Sequence, residues 1–302
     1  MLLTNHIWRE LVTDELTKQG LYQWRQIFKG DVRLFEETPP EEYENYDIIH
    51  INLCTNDLPI IFHVKSILKN SSTKVIMNVD YAVEMWDRMF PDKRKFIQAL
   101  SLPDLLFAVE PFQQKILTIL SKRDVPLIPH PVDTKRLKQR VKKERGDIAF
   151  CLYHRYDTQQ LIPSIIAQYS GLEPVMLGIG EGPLPRQIYV LSGGTVPYYS
   201  FLNILRMSRI AIEYYTIHSH CRFAGECACL RVPLVATSYS FFAREMFPFT
   251  TFHPDEIEKM MLTVKQLVEN DAFYDRVVEY AWDKIEDYGW KASKERLLRH
   301  IE

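Results

Sequence analysis

The sequence holds only five cysteines in 302 residues, and an odd number of them. A disulfide framework is therefore excluded, and a reducing compartment is implied. The net charge is only −2, so the chain lacks the basic excess that a nucleic-acid binder needs. No apolar run approaches the roughly 20 residues of a membrane helix. No basic-then-apolar segment opens the chain as a signal peptide would. The expectation is a cytoplasmic protein with no transmembrane segment. Repeats and low-complexity tracts are also missing. There is no Asp-x-Asp pair of the kind that holds a metal–nucleotide complex. No glycine-rich strand-to-helix turn precedes residue 130, so the first half is not expected to carry a nucleotide site.

What the chain does have is an average globular composition, 46% hydrophobic and 25% charged. Its length suits two domains of about 150 residues each. Strand and helix patterns alternate throughout. An amphipathic helix is expected over 7–28, ended by Gly30. Strands are expected at 32–35, 46–53, 74–79, 104–109 and 125–128. Helices at 59–68, 91–100 and 111–122 separate them. A second series follows, with strands at 147–152, 173–177, 188–196, 210–215 and 234–237. Its helices fall at 161–169, 199–207, 222–230, 255–269 and 271–286. Such alternation implies doubly wound parallel sheets.

The most informative stretch is 209–237. Ile210 to Tyr215 is β-rich, and Thr216 to Cys221 is polar, with Ser219 a natural N-cap. Arg222 to Leu230 is a short helix of small residues, stopped by Pro233. A loop between a strand end and a helix start presents backbone N–H groups to a crevice. The helix dipole favours phosphate there, with Arg222 and the 219–222 amides meeting the charge. Glu226, one turn into the helix, can accept hydrogen bonds from both hydroxyls of a ribose.

The run Glu226-Cys-Ala-Cys-Leu-Arg-Val-Pro233-Leu-Val235-Ala-Thr237 resembles the donor-nucleotide motif of GT-B glycosyltransferases. In that motif an earlier Glu touches the donor sugar, and here His218 stands in its place. A family glycine before Val-Pro is Arg231 here. The segment Pro129-His-Pro-Val-Asp-Thr-Lys-Arg-Leu137 resembles the stretch that leaves the first GT-B domain. Tyr288-Gly-Trp290 resembles the closing aromatic helix, which in that family crosses back to the first domain. The resemblance runs over nearly the whole chain. It implies two Rossmann-like α/β domains facing a cleft: an acceptor domain at 1–140, a donor domain at 141–285 and a crossing helix at 286–302.

Further candidates follow from position. Arg155 lies beyond a strand's carboxyl end, where the family binds pyrophosphate; the family lysine after it is Gln159 or Gln160. Gly178 and Gly180 form a Gly-x-Gly turn, read either as lining the nucleotide crevice or as a tight turn needing positive φ. His218, His220, Cys221, Cys227 and Cys229 invite a metal reading. On a helix, however, Cys227 and Cys229 diverge by about 200°, so no metal site is assigned. In the first domain, Asp80, Glu110 and residues 54–57 fall at strand ends. Asp80 stands where the family strand often ends in His, and is expected to act as a general base or to bind acceptor hydroxyls.

These readings imply a glycosyltransferase independent of metal, with retention, the rule of the Glu-pair family, expected ahead of inversion. It has no cofactor beyond a nucleotide-sugar substrate. Asp80 and His218 are its catalytic candidates. Arg155, Gly178, Gly180, Ser219, His220, Cys221, Arg222 and Glu226 are its donor-binding candidates. The acceptor is open among a glycan, a lipid-linked group, a small molecule and a modified nucleic acid. The alternative is a GT-B relative that binds nucleotide or sugar without turnover.

Overall fold

In the computed structural model the described residues are 1–4, 20–53, 58–139, 146–152, 161–179 and 194–301. They form two compact units, Met1–Pro131 with Trp290–Glu302, and Val132–Gly289. The first passage between them lies inside the Pro129–Leu137 segment.

In chain order the elements begin β1 (Leu2–Thr4), α1 (Gly20–Phe28), β2 (Val32–Leu34), β3 (Ile48–Leu53), α2 (Leu58–Ile67) and β4 (Lys74–Val79). Next come α3 (Trp86–Met89), α4 (Lys93–Leu100), β5 (Leu105–Phe107) and α5 (Pro111–Ser121). The second unit contains α6 (Thr134–Lys138), β6 (Ile148–Leu152), α7 (Leu161–Tyr169), β7 (Glu173–Ile179), β8 (Gly194–Val196) and α8 (Tyr198–Met207). It continues with β9 (Ile210–Glu213), α9 (Phe223–Leu230), β10 (Leu234–Thr237), α10 (Phe241–Met246), β11 (Thr251–Phe252), α11 (Ile257–Glu269) and α12 (Asp271–Lys284). Last is α13 (Trp290–Leu298), which belongs to the first unit.

Among the described residues the first unit holds a five-stranded sheet in the order β2-β1-β3-β4-β5, parallel throughout. The order reverses between β1 and β3, and such a reversal opens a crevice at the carboxyl ends of the strands. Side chains alternate between faces with a period of two. Ile49, Ile51, Leu53, Val75, Met77 and Val79 join one core, with Ile60, Ile61 and Val64 of α2 and Leu117 of α5. Ile76 and Phe107 pack with Trp24 of α1 and Leu297 of α13 in the other. Trp290 Nε1 donates to Gln23 Oε1 at 2.6 Å, tying α13 to α1.

The second unit's sheet runs β11-β10-β9-β6-β7-β8, again parallel. Counted within the unit this is the strand order 3-2-1-4-5-6 of dinucleotide-binding sheets, with its switch point between β6 and β9. Phe150, Phe201 and Phe223 pack their rings together at its centre, with centroids 4.9–5.8 Å apart. Gly225 lets α9 sit close: a Cβ there would meet Val132 and Ile285 at 3.2 and 3.3 Å.

Several expectations shift. The helix expected from residue 7 is described only over Gly20–Phe28, and it ends through Lys29, whose φ is 51°, rather than through Gly30. The strand expected at 125–128 is a single bridge from Leu127 to Ala108. Pro126 beside it has no N–H to extend a ladder. No helix among the described residues is long and apolar enough to cross a membrane.

Candidate functional site

In the second unit, β9 ends at Glu213, beside the switch point. The chain then passes through residues 214–222 into α9. This loop is stapled to the 238–242 segment. Ser219 N–H donates to Tyr239 O at 3.0 Å, Phe241 N–H to Ser219 O at 2.8 Å, and Phe242 N–H to His220 O at 3.2 Å. Thr237, at the end of β10, clamps the loop's start. Its hydroxyl accepts from Tyr215 N–H and donates to Tyr215 O, at 2.9 and 2.8 Å.

This anchoring corrects the role expected of Ser219. Its hydroxyl accepts from Cys221 N–H at 3.1 Å, and the residue that precedes α9 is Arg222, with no side-chain cap. The Ser219 and Cys221 amides, expected to cradle phosphate, are thus already committed within the loop. Cys221 is buried with φ 40°, and burial raises its thiol well above the usual range. His218 is half-buried, edge-on to Tyr239 at 4.7 Å, and His220 lies against Phe242 at 4.1 Å.

Glu226 is 1% exposed. Its Oε1 accepts from Tyr198 Oη at 2.7 Å and from Arg222 Nε and Nη2 at 3.2 and 3.0 Å. Burial raises the Glu226 carboxyl, and the Arg222 charge opposes that rise. Arg222 spans one helical turn to reach it, the favourable i, i+4 spacing. Its remaining Nη1 is buried and has no hydrogen-bond partner. Arg222 thus spends Nε and Nη2 on Glu226 and leaves Nη1 without a hydrogen bond. Tyr198, which the sequence reading passed over, completes the triad from α8.

Glu213 was passed over as well. It is 1% exposed, and neither carboxyl oxygen has a hydrogen-bond partner of good geometry. The Cys221 thiol and the Ser240 hydroxyl lie near enough to favour its charge, but burial wins and pushes it up to about 8. At neutral pH Glu213 is a neutral acid at the carboxyl end of a central strand. The signal was available: a lone acid closes the apolar run Ile210-Ala-Ile.

Gly178 is the penultimate residue of β7, paired with Thr195 and buried, so it extends the strand rather than forming a turn. Arg155 and Gly180 lie outside the described residues. Arg231 ends α9 in the left-handed region, φ 55° and ψ 40°, which explains why a glycine suits that position. Its guanidinium pairs with Glu279 and stacks over Trp282 at 5.2 Å. Cys227 and Cys229 are both buried free thiols. Among the described residues no group of three or more His, Cys, Asp or Glu is placed to hold a metal ion.

In the first unit Asp80 stands half-buried just beyond β4. Its Oδ1 accepts from Tyr81 N–H at 2.9 Å and its Oδ2 from Asn52 Nδ2 at 3.4 Å. Glu110, expected at a strand end, has a capping role. It is the N-cap of α5, accepting from the Phe112 and Gln113 amides ahead of Pro111 at the first helical position. Residues 54–57 lie outside the described residues. A cavity of about 250 Å³ beside Trp24, Phe28 and His50 opens at Asp31, Asp47 and Ile48, the amino ends of the strands. That edge is opposite the one where open α/β sheets bind ligands.

No protein-family model matches the chain. No curated protein matches it in sequence either. Solved structures do match in fold. A sucrose-phosphate synthase from Thermosynechococcus elongatus superposes with a TM-score of 0.65 at 12% identity, covering 99% of this chain and 98% of its own. An α-glucosyltransferase, solved with UDP and DNA containing an HMU base, gives 0.64 at 13%, covering 90% and 85%. An α,α-trehalose-6-phosphate synthase from Burkholderia multivorans gives 0.63 at 11%, covering 87% and 72%. The chain therefore has the GT-B fold of two parallel α/β units.

Proposed function

We propose that the protein is a glycosyltransferase that moves a sugar from a nucleotide-activated donor to a hydroxyl-bearing acceptor. The donor belongs to the second unit and the acceptor to the first. One observation carries the reading: a buried cation end, Arg222 Nη1, has no hydrogen-bond partner beside the switch point of a dinucleotide-type sheet. A donor phosphate supplies that partner, and a charge-assisted bond of this kind is among the stronger ones. Glu226, held on Oε1 by Tyr198 and Arg222, receives the ribose hydroxyls. His218 sits on the sugar side, and Arg155 adds a second cation for the pyrophosphate. In the reaction the sugar C1–O bond to phosphate breaks, a bond to the acceptor oxygen forms, and the nucleoside diphosphate leaves. Asp80 accepts the hydrogen bond of the attacking hydroxyl and, as that O–H bond breaks, takes its proton. Retention and independence of metal follow the resemblance to the Glu-pair family and the missing Asp-x-Asp motif.

The test is a thermal-shift screen against nucleoside diphosphates and nucleotide sugars, followed by turnover assays. A ligand at a hundredfold excess over Kd stabilises by about 2.7 kcal/mol. Glu226→Gln turns one acceptor oxygen into a donor and costs about 1.5–3 kcal/mol, a ten- to hundredfold loss in nucleotide affinity. His218→Ala lowers turnover more than nucleotide binding. Tight nucleotide binding with neither transfer nor donor hydrolysis across a panel of sugars would instead favour the binding module.

A further inference from the structure

Strands buried on both faces of a parallel sheet read as near-continuous apolar runs. On one face of the first sheet, β3 and β4 break that rule. His50 and Asn52 share a face of β3, and Asn78 and Asp80 continue the same face along β4. Asn52 lies opposite Asn78 in the ladder. His50, Asn52 and Asn78 are 5%, 6% and 0% exposed. Their side chains join in series. His50 Nε2 meets Asn78 Oδ1 at 2.8 Å, and Asn78 Nδ2 donates to Asn52 Oδ1 at 2.5 Å. Asn52 Nδ2 then donates to Asp80 Oδ2 at 3.4 Å, the longest link. No buried side-chain polar atom of these four residues lacks a partner.

The direction of the chain follows from its end. A carboxylate only accepts hydrogen bonds. Asn52 must therefore turn its Nδ2 to Asp80, which leaves its Oδ1 to accept from Asn78. Asn78 spends its Nδ2 there, so its Oδ1 must accept from the ring. His50 is thereby fixed as the Nε2–H tautomer. Burial keeps the ring neutral, depressing its pKa to about 4. All three bonds donate toward Asp80, and aligned bonds of this kind polarise one another.

The other side of Asp80 is also held. Tyr81 has φ 66°, a left-handed conformation costly for an aromatic residue. Its amide binds Oδ1, and the Trp86 indole donates to the Asp80 and Tyr81 carbonyls, both at 3.2 Å. An aspartate that merely closed a turn would need the Tyr81 amide alone. Three buried polar side chains and a strained tyrosine are more than a turn requires.

We propose that the His50–Asn78–Asn52 chain is a positioning device that aims the Asp80 carboxylate at an acceptor hydroxyl. This rests on the assignment of the acceptor to the first unit. Asp80 alone touches the acceptor; the other three act through it.

The experiment uses the full chain with ¹⁵N-labelled histidine and long-range ¹H–¹⁵N NMR at neutral pH. His50 signals are those lost in His50→Gln. The wild type should show His50 as a single Nε2–H tautomer. In Asp80→Leu the carboxylate no longer fixes the direction, so the two tautomers should mix. A wild-type Nδ1–H tautomer overturns the proposal, and so does an unchanged single tautomer in Asp80→Leu. With a donor that turns over, Asn52→Leu should cut turnover about tenfold or more by misplacing the carboxylate. His50→Gln, which keeps an N–H donor, should hold it within about twofold. Full turnover in Asn52→Leu also overturns the proposal. If the wild type turns over no donor at all, the transferase reading fails, and the tautomer result still decides this one.

Discussion

Each unit places an acidic side chain near the carboxyl end of a central strand, and the two are held in opposite ways. Asp80 is braced by neutral donors, and the polar chain behind it leaves no buried atom without a partner. In the second unit Glu226 is held by a cation, Arg222 keeps one buried nitrogen unpaired, and Glu213 has both oxygens unpaired. Buried polar groups are nearly always satisfied, so orphans of this kind call for an explanation. The first arrangement is satisfied within the protein; the second keeps buried polar atoms without a hydrogen-bond partner, which is where the proposed donor phosphate would bind.

The largest effect that sharpens this contrast concerns charge. Arg222→Ala leaves a buried carboxylate without its cation and should cost about 3–5 kcal/mol. Its counterpart in the first unit, Asn52→Leu, removes a neutral donor to Asp80 and a neutral acceptor from Asn78 but no charge, and should cost about 1–3 kcal/mol. Urea denaturation of the two variants gives the comparison. Equal losses would show that both carboxyls are held alike.

A second contrast is the pH response, which should run in opposite directions in the two units. Glu213 is raised from 4.5 to about 8, so the folded state binds its proton more tightly than the unfolded chain does. Its contribution is whole below pH 4.5 and is lost as pH rises to about 8, by at most about 1.4 kcal/mol per unit. Glu213→Gln cannot titrate, so it should gain on the wild type across that window. His50 is lowered from 6.5 to about 4, so the folded state favours its neutral ring. Its contribution is whole above pH 6.5 and is lost as pH falls to about 4. His50→Gln should therefore gain on the wild type only on the acid side. Melting curves over pH 4–8, each read against its isostere, check both signs.

The smallest effect expected is at Arg231. Glycine there relieves a left-handed backbone worth about 1–2 kcal/mol but gives up the pairing with Glu279 and the stacking on Trp282. Arg231→Gly should stay within about 1 kcal/mol of the wild type and leave nucleotide affinity unchanged. A large loss of affinity would move Arg231 into the donor site.

What was legible in the sequence was what local pattern writes down. β4 spans Lys74–Val79 as its apolar run implies, and α9 with β10 follows from the small-residue stretch, Pro233 and the re-entering Leu234–Thr237. Pro111 at the first helical position marks the start of α5, and Glu110 before it caps that helix. Contacts between elements leave no such trace. Tyr198 reaches Glu226 from another helix, 28 residues away. His50 and Asn52 leave no mark of their pairing, because the four apolar residues of Ile48–Leu53 already account for the strand. Ser219 looked like an N-cap, but its backbone pairing with the 238–242 segment redirects its hydroxyl.

The most direct test of the account is photo-crosslinking of the full chain with an azido nucleoside diphosphate, followed by peptide mapping. The account predicts labelled peptides from residues 132–289, competed away by unmodified nucleoside diphosphate and weakened in Glu226→Gln. Label concentrated on residues 1–131 would contradict it.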